Sequence, residues 1–298
     1  MNVRTERPVY RDRAAISTLE TVNVETGECR VLKEFDHCIE APNWTHDGAA
    51  LIYNGGGRLF RYDFDTNEVS TIDTGFATWC NNDHVLSPDG KSICVSHHAI
   101  EDGQSRIYEI VLDDPRPRLI TPIAPSYLHG WSPDGQTLAY CAERNGEYDI
   151  YTIPIDGGEE ARLTDAKGLN DGPEYAPCGQ YIWFNSVRSG LMQVWRMNAD
   201  GTDQQQMTFD EDKNSWFPHV SPDGEMVAYI AYRAGDVEPG DHPANKDVEI
   251  RLMKSEGGES TPLVSLFGGQ GTLNVNSWSP DGAELAFVRY RLKSDLNV

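Results

Sequence analysis

Apolar residues in this chain fall in runs of three or four: Leu51-Ile52-Tyr53, Ile93-Cys94-Val95, Leu138-Ala139-Tyr140, Tyr181-Ile182-Trp183-Phe184, Val227-Ala228-Tyr229-Ile230 and Leu285-Ala286-Phe287-Val288. Gly, Pro, Asn and Asp bound them, and helical periodicity of any length is absent, so the pattern predicts short buried strands. A second kind of run alternates polar and apolar positions, as in Asp149-Ile150-Tyr151-Thr152-Ile153-Pro154-Ile155, Gln193-Val194-Trp195-Arg196-Met197 and Glu249-Ile250-Arg251-Leu252-Met253. These predict strands with one wet face.

The punctuation repeats. Ser87-Pro88-Asp89-Gly90 returns as Ser132-Pro133-Asp134-Gly135, Ser221-Pro222-Asp223-Gly224 and Ser279-Pro280-Asp281-Gly282. Thr45-His46-Asp47-Gly48 and Ala176-Pro177-Cys178-Gly179 are degenerate copies. Successive glycines are 42, 45, 44, 45 and 58 residues apart, so six units follow one another and the fifth carries an insertion. In each tetrapeptide Pro presets φ for a type I turn, Asp suits the next position and Gly accepts positive φ, which makes a tight hairpin. Trp44, Trp131, Tyr175 and Trp278 stand two residues ahead of the proline position.

Four short antiparallel strands per repeat of ~44 residues describe a propeller blade. The sixth turn is followed by a single strand ending near Arg291, while Ala15–Val24 and Cys29–Leu32 form an orphan pair at the other end. The expected fold is therefore all-β: one six-bladed β-propeller domain across 1–298, its four-stranded antiparallel blades at about 41–74, 80–122, 127–165, 170–210, 214–266 and 272–292. The last blade is completed by 13–36 in a two-plus-two closure that removes exposed sheet edges.

With these motifs in view, the chain resembles the TolB-like, WD40-like β-propeller family. The resemblance rests on the Ser-Pro-Asp-Gly hairpins, the following Leu-Ala-Tyr type strands, the Ile-Tyr-x-Ile segment leading to Asp-Gly, and Arg162-Leu163-Thr164; it covers residues 15 to 291. Departures are His46 for the turn proline and Cys178 for the turn aspartate, and none of the seven Trp is followed by Asp. The resemblance implies a propeller that binds partners or ligands. Some oligogalacturonate lyases share such repeats, and use channel histidines with a divalent metal.

Charge narrows the partners. The net charge of −22 repels nucleic-acid phosphates and anionic lipids, and no Lys/Arg run offsets it. No stretch approaches the ~20 apolar residues of a membrane span. The first residues, Met1 to Arg13, contain no apolar segment of a leader, so a cytoplasmic location is expected. The six cysteines form no Cys-x-x-Cys pair and are expected to be small buried hydrophobes in a reducing compartment.

Candidate chemistry gathers just ahead of each turn, where the innermost strand of a blade lines the channel. Glu40 and Asn43, Asn82, Asp83 and His84, Tyr127 and His129, Asp171 and Glu174, Trp216 and His219, and Asn274 and Asn276 form the expected ligand-binding ring. His84, His129 and His219 are the candidate ligands for a divalent metal (Mn, Zn or Ca), with Tyr127 and Trp216 as stacking surfaces. A water-filled channel lined by mutually satisfied polar groups is the competing reading. His97-His98 is expected in a loop on the same face. The insertion, residues 233–246, lies between strands two and three of blade five as a lid or a surface elaboration. Asp63–Asn67 reads as a turn between outer strands and not as a calcium loop. No Gly-x-Ser-x-Gly elbow, His-Glu-x-x-His or phosphate loop is present. The expected function is a binding module for a protein, peptide or small polar ligand such as a glycan. The alternative is a metal-dependent carbohydrate-active lyase or hydrolase using the channel histidines.

Overall fold

The computed structural model describes residues 15–293. Five sheets have four antiparallel strands each in sequential order, from the innermost strand outward, and they contain no α-helix. The innermost strands are Glu40–Trp44, Cys80–Leu86, Ser126–Trp131, Asn170–Tyr175 and Lys213–Val220. The sixth blade combines both ends of the chain: Glu284–Leu292 pairs with Ala15–Asn23, which pairs with Cys29–Phe35. Its inner strand is less regular than expected. Only an isolated bridge, Trp278 with Leu285, and the bonds Ala286 N–H to Ser277 O and Val288 N–H to Thr272 O mark its place. The cause is local: Gly271 N–H bonds back to Asn274 Oδ1 at 2.5 Å and Gly269 N–H to Thr272 Oγ1 at 3.0 Å, which curls the strand entry into turns. Residues 13 and 14 of the expected blade lie outside the described residues.

The repeat turns behave alike. In the second blade Ser87 Oγ donates to Asp89 Oδ1 at 2.7 Å, Lys91 N–H donates to the same oxygen at 3.1 Å, and Ser92 N–H donates to Ser87 Oγ at 2.9 Å. The six turn glycines have φ between 70 and 78°, a region where a Cβ is costly. In blade one Thr45 replaces Ser and keeps the same bonds, while His46 Nε2 donates across to Ser87 O at 2.8 Å. Blade four, with Ala176 and Cys178, loses the three side-chain bonds and retains the backbone pair, Gly179 N–H to Ala176 O at 2.8 Å and Ala176 N–H to Tyr181 O at 2.9 Å.

Neighbouring blades are held by apolar contact and by one recurring polar position. Six residues after the turn glycine, inside the apolar second strand, stand Asn54, Ser96, Cys141 and Asn185. Each bonds the inner strand of the next blade: Asn54 Nδ2 to Asn81 O at 2.6 Å, Leu128 N–H to Ser96 Oγ at 2.8 Å, Cys141 Sγ to Asn170 O at 3.4 Å and Phe217 N–H to Asn185 Oδ1 at 3.0 Å. The signal in the sequence is a polar residue interrupting an apolar run. Around these bonds Trp183, Tyr140, Tyr229, Phe184 and Phe287 are fully buried.

Two expectations need correction. Cys80, Cys94 and Cys141 are buried, but Cys29 and Cys178 are exposed, because Cys29 opens the outermost strand of blade six and Cys178 sits in a hairpin turn. His97 and His98 close the strand Ser92–His98 instead of lying in a loop, and His97 Nδ1 accepts the Trp79 N–H at 3.1 Å. Asp63–Asn67 is the expected turn, with Asp63 Oδ1 accepting the Thr66 N–H at 3.0 Å.

The defective turn gives a direct test. The double substitution Ala176→Ser with Cys178→Asp should restore the three missing bonds and raise the unfolding free energy by about 1 kcal/mol. Chemical denaturation of the two proteins side by side measures it; an unchanged or lower midpoint would show that the serine–aspartate pair adds nothing to this hairpin.

Candidate functional site

What decides the site is a shift of register in every regular inner strand, between Glu40 and Asn43, Cys80 and His84, Leu128 and Gly130, Asp171 and Glu174, and Trp216 and His219. A bulge re-aims the side chains on either side of it. In three blades the extra residue is left-handed: Ala41 (φ 55°), Gly172 (φ 63°) and Phe217 (φ 55°). For Phe217 this conformation costs roughly 1–2 kcal/mol. Asn185 holds its N–H, and its ring lies on His129 with 5.7 Å between centroids. The expected ring is thereby split between two ends of the channel.

Toward the face that carries the blade crossovers, Glu40, Asn82, Asp83, Tyr127, His129, Asp171 and Asn274 line an open cavity of about 690 Å³. His242, from the insertion, joins them. Asp171 Oδ1 is 3.2 Å from His129 Nε2, and Asp171 Oδ2 is 3.9 Å from His242 Nε2. The second distance is an ion-pair separation, too long for a hydrogen bond. Burial alone would push the Asp171 carboxyl up, but the two imidazoles hold it well below the usual carboxylate range. Burial likewise opposes a charged His129, and the Asp83 and Asp171 carboxylates overcome it and lift the ring above its ordinary value. Glu40 is different: burial, then the Asp83 charge, pushes it up to about 7. Asp83 is also raised, mainly by burial.

Toward the hairpin-turn face a second cavity of about 370 Å³ is bordered by Asn43, Glu174 and Asn276, with Trp44, Trp131 and Trp278 among the turn prolines. Here the charges satisfy one another. Glu174 Oε2 is 2.6 Å from His219 Nδ1, and its Oε1 accepts Asn276 Nδ2 at 2.7 Å and Val220 N–H at 3.1 Å. Asn43 Nδ2 donates to Asn276 O at 2.6 Å, and Trp278 Nε1 to His219 O at 3.0 Å. His129 borders both cavities and stands in the wall between them.

Two expected site residues are withdrawn into the blades. His84 is fully buried, its two nitrogens near the Ile52 and Asn82 backbone but without a well-formed hydrogen bond. Trp216 is a core residue; the bulge turns Phe217 toward the cavity in its place, and His242 meets the edge of the Trp216 ring at 4.3 Å. His84, His129 and His219 therefore do not converge as a metal set. Among the described residues no three His, Cys, Asp or Glu side chains are arranged to hold a metal. The reason is the bulge, which sends His219 to Glu174 and leaves His129 with Asp171. Phe217, His242, Tyr148 and Gln270 are cavity residues that the count back from the turn did not reach.

The insertion spans Arg233 to Lys246, as expected from the sequence. It is tied down by Tyr232 Oη to Pro243 O at 3.1 Å and Gln270 N–H to Pro243 O at 3.3 Å. Gly240 and His242 form part of the cavity wall.

Comparison with known proteins agrees with this architecture. The TolB beta propeller domain description (PD40) matches residues 122–265. An uncharacterized protein of Agrobacterium fabrum is 46% identical over 275 residues, 92% of this chain and 92% of its own. A solved structure described as a candidate TolB from Agrobacterium tumefaciens superposes with a TM-score of 0.88 at 46% identity, over 93% of this chain and 99% of that one. The Tol-Pal system protein TolB of Francisella tularensis subsp. tularensis (strain WY96-3418) is 29% identical over 209 residues, 67% of this chain. The match spans 47% of that relative, about half of its length.

His84 supplies a pH test. Burial lowers its pKa to about 4 from 6.5, and His97, buried and next to His98, is also lowered to about 4. As pH falls below 6.5 the unfolded chain takes up protons that the folded rings refuse, so stability drops between pH 6.5 and 4. His84→Leu should remove on the order of 3 kcal/mol of that loss. Denaturation midpoints at several pH values, wild type against variant, check it; parallel profiles would refute the assignment.

Proposed function

Because the chain belongs to the TolB-like β-propeller family, we propose that it works as a binding module whose crossover face receives a protein, peptide or small polar ligand. The observation that carries this reading is the open cavity of about 690 Å³, to which all six blades contribute. A site built by every blade is fixed by the closed ring, and its size suits the ~300–1,000 Å³ typical of ligand pockets. The apolar surroundings support a macromolecular partner. Phe76 (58% exposed), Ile123 (51%) and Phe209 (72%) lie in the crossovers on this face, and Ile100 in a second-to-third strand loop beside them. Exposed apolar groups around a polar centre are a common form of interaction surface.

The carbohydrate-active alternative, built on three channel histidines and a divalent ion, gains no observation in its favour, since those histidines are apart. No helix among the described residues is long and apolar enough to cross a membrane. The cytoplasmic location was expected from residues that lie outside the described ones. Kinship with Tol-Pal system proteins does not support it, and the proposal holds in either compartment.

A partner recovered by affinity purification and then prepared pure gives the test. Phe76→Asp and Ile123→Asp should each weaken its binding at least tenfold, while Lys91→Ala on the hairpin-turn face should leave it unchanged. The reverse pattern in titration calorimetry would move the interaction to the other face and overturn the proposal.

A further inference from the structure

The cavity is charged in a one-sided way. Glu40, Asp83 and Asp171 line it, and no lysine or arginine is among its described lining residues. Asp171 has its imidazoles. Glu40 has no side-chain hydrogen bond or ion pair among the described residues, and Asp83 has only the Asn81 amide, 2.5 Å from Oδ2, with the His129 and His242 imidazoles acting on it from further off and the Asp171 carboxylate opposing them. Both carboxylates face one cavity, the Asp83 charge acts unfavourably on Glu40, and no lysine or arginine lies among the described lining residues to offset it, a cost that a bound cation removes.

A second observation is independent of the acids. Asn82 lines the same cavity, is 4% exposed, and its Nδ2 finds no acceptor in the protein. A buried amide donor without a partner costs about 1–3 kcal/mol, so it calls for an acceptor brought by the ligand. The ligand thus presents a cation and, close to it, a hydrogen-bond acceptor. A lysine side chain has no acceptor near its ammonium. The amino terminus of a polypeptide has both, since its α-ammonium is followed by the first carbonyl. Phe76 and Ile123, exposed in crossovers on the same face, offer apolar surface to the residues that follow.

We propose that the cavity captures the amino terminus of a polypeptide, the α-ammonium between Glu40 and Asp83 and the first carbonyl accepting from Asn82. This rests on the reading of the crossover face as the binding face. Tyr127 and Phe217 also line the cavity and bound the space beside the cation.

Titration calorimetry with three defined probes tests it: alanyl-phenylalanine amide, its N-acetyl counterpart, and propylamine. The free-terminus dipeptide should bind at least tenfold tighter than the acetylated one and than propylamine. Glu40→Gln and Asp83→Asn should each weaken it tenfold or more, with thermal melts confirming that both variants fold. Asn82→Ser should weaken the dipeptide and leave propylamine unchanged. Equal binding of the acetylated probe, or no binding of the dipeptide to the wild-type protein, overturns the inference. Propylamine binding as tightly as the dipeptide overturns it in favour of a simple amine. None of these results touches the binding-face reading, which the Phe76 and Ile123 variants decide separately.

Discussion

Everything in this molecule depends on one strand pairing, Ala15–Asn23 with Glu284–Leu292. It runs unbroken from Ala15 opposite Leu292 to Asn23 opposite Glu284, and it joins the two ends of the chain into one sheet. Without it the ring would expose two unpaired edges, and no side chain on opposite blades would have a fixed separation. The pairing is reinforced where it matters: Glu20, almost fully buried, receives Arg289 Nε at 2.8 Å and Nη2 at 3.1 Å. A buried carboxylate is tolerable only with such a partner, and here the partner comes from the opposite end of the chain.

The closed ring sets up two channel ends with opposite electrostatic character. At the hairpin-turn end Glu174, His219, Asn43 and Asn276 bond one another and the backbone and so hold blades four, five, six and one together, with only His219 Nε2 and Asn43 Oδ1 of this group left without a partner among the described residues. At the crossover end Glu40 and Asp83 make no close ion pair among the described residues, and Asn82 keeps an idle donor. The same residue types thus serve structure at one end and stay available at the other. The insertion deepens the contrast, because His242 packs edge-on against Trp216 and tilted against Phe217 at the crossover end.

Phe217 links these two levels. Its left-handed backbone is unfavourable by itself, and Asn185 of the preceding blade holds it. Strain of this kind persists where surrounding structure over-determines it, and such places are often functional. Here the result is an aromatic wall for the cavity and the burial of Trp216 beneath it.

The repeat spacing, the turn tetrapeptides and the orphan strands at each end sufficed to determine six blades, the closure and the insertion, because each of these is a local property. Turn geometry depends on four adjacent residues, and strand burial on a pattern a few residues long. The sequence also placed Glu40, Asp83, Tyr127, His129 and Asp171 near the channel. It could not separate them from Glu174 and His219, or tell Trp216 from Phe217. A bulge shifts the side-chain alternation by one residue, and whether a strand bulges is settled by a neighbouring blade: the Gly271 carbonyl that takes the Ala41 N–H, and the Asn185 side chain that takes that of Phe217. Those partners are tens to hundreds of residues away in the chain, so only the closed tertiary structure decides which polar groups meet one another and which are left for a ligand.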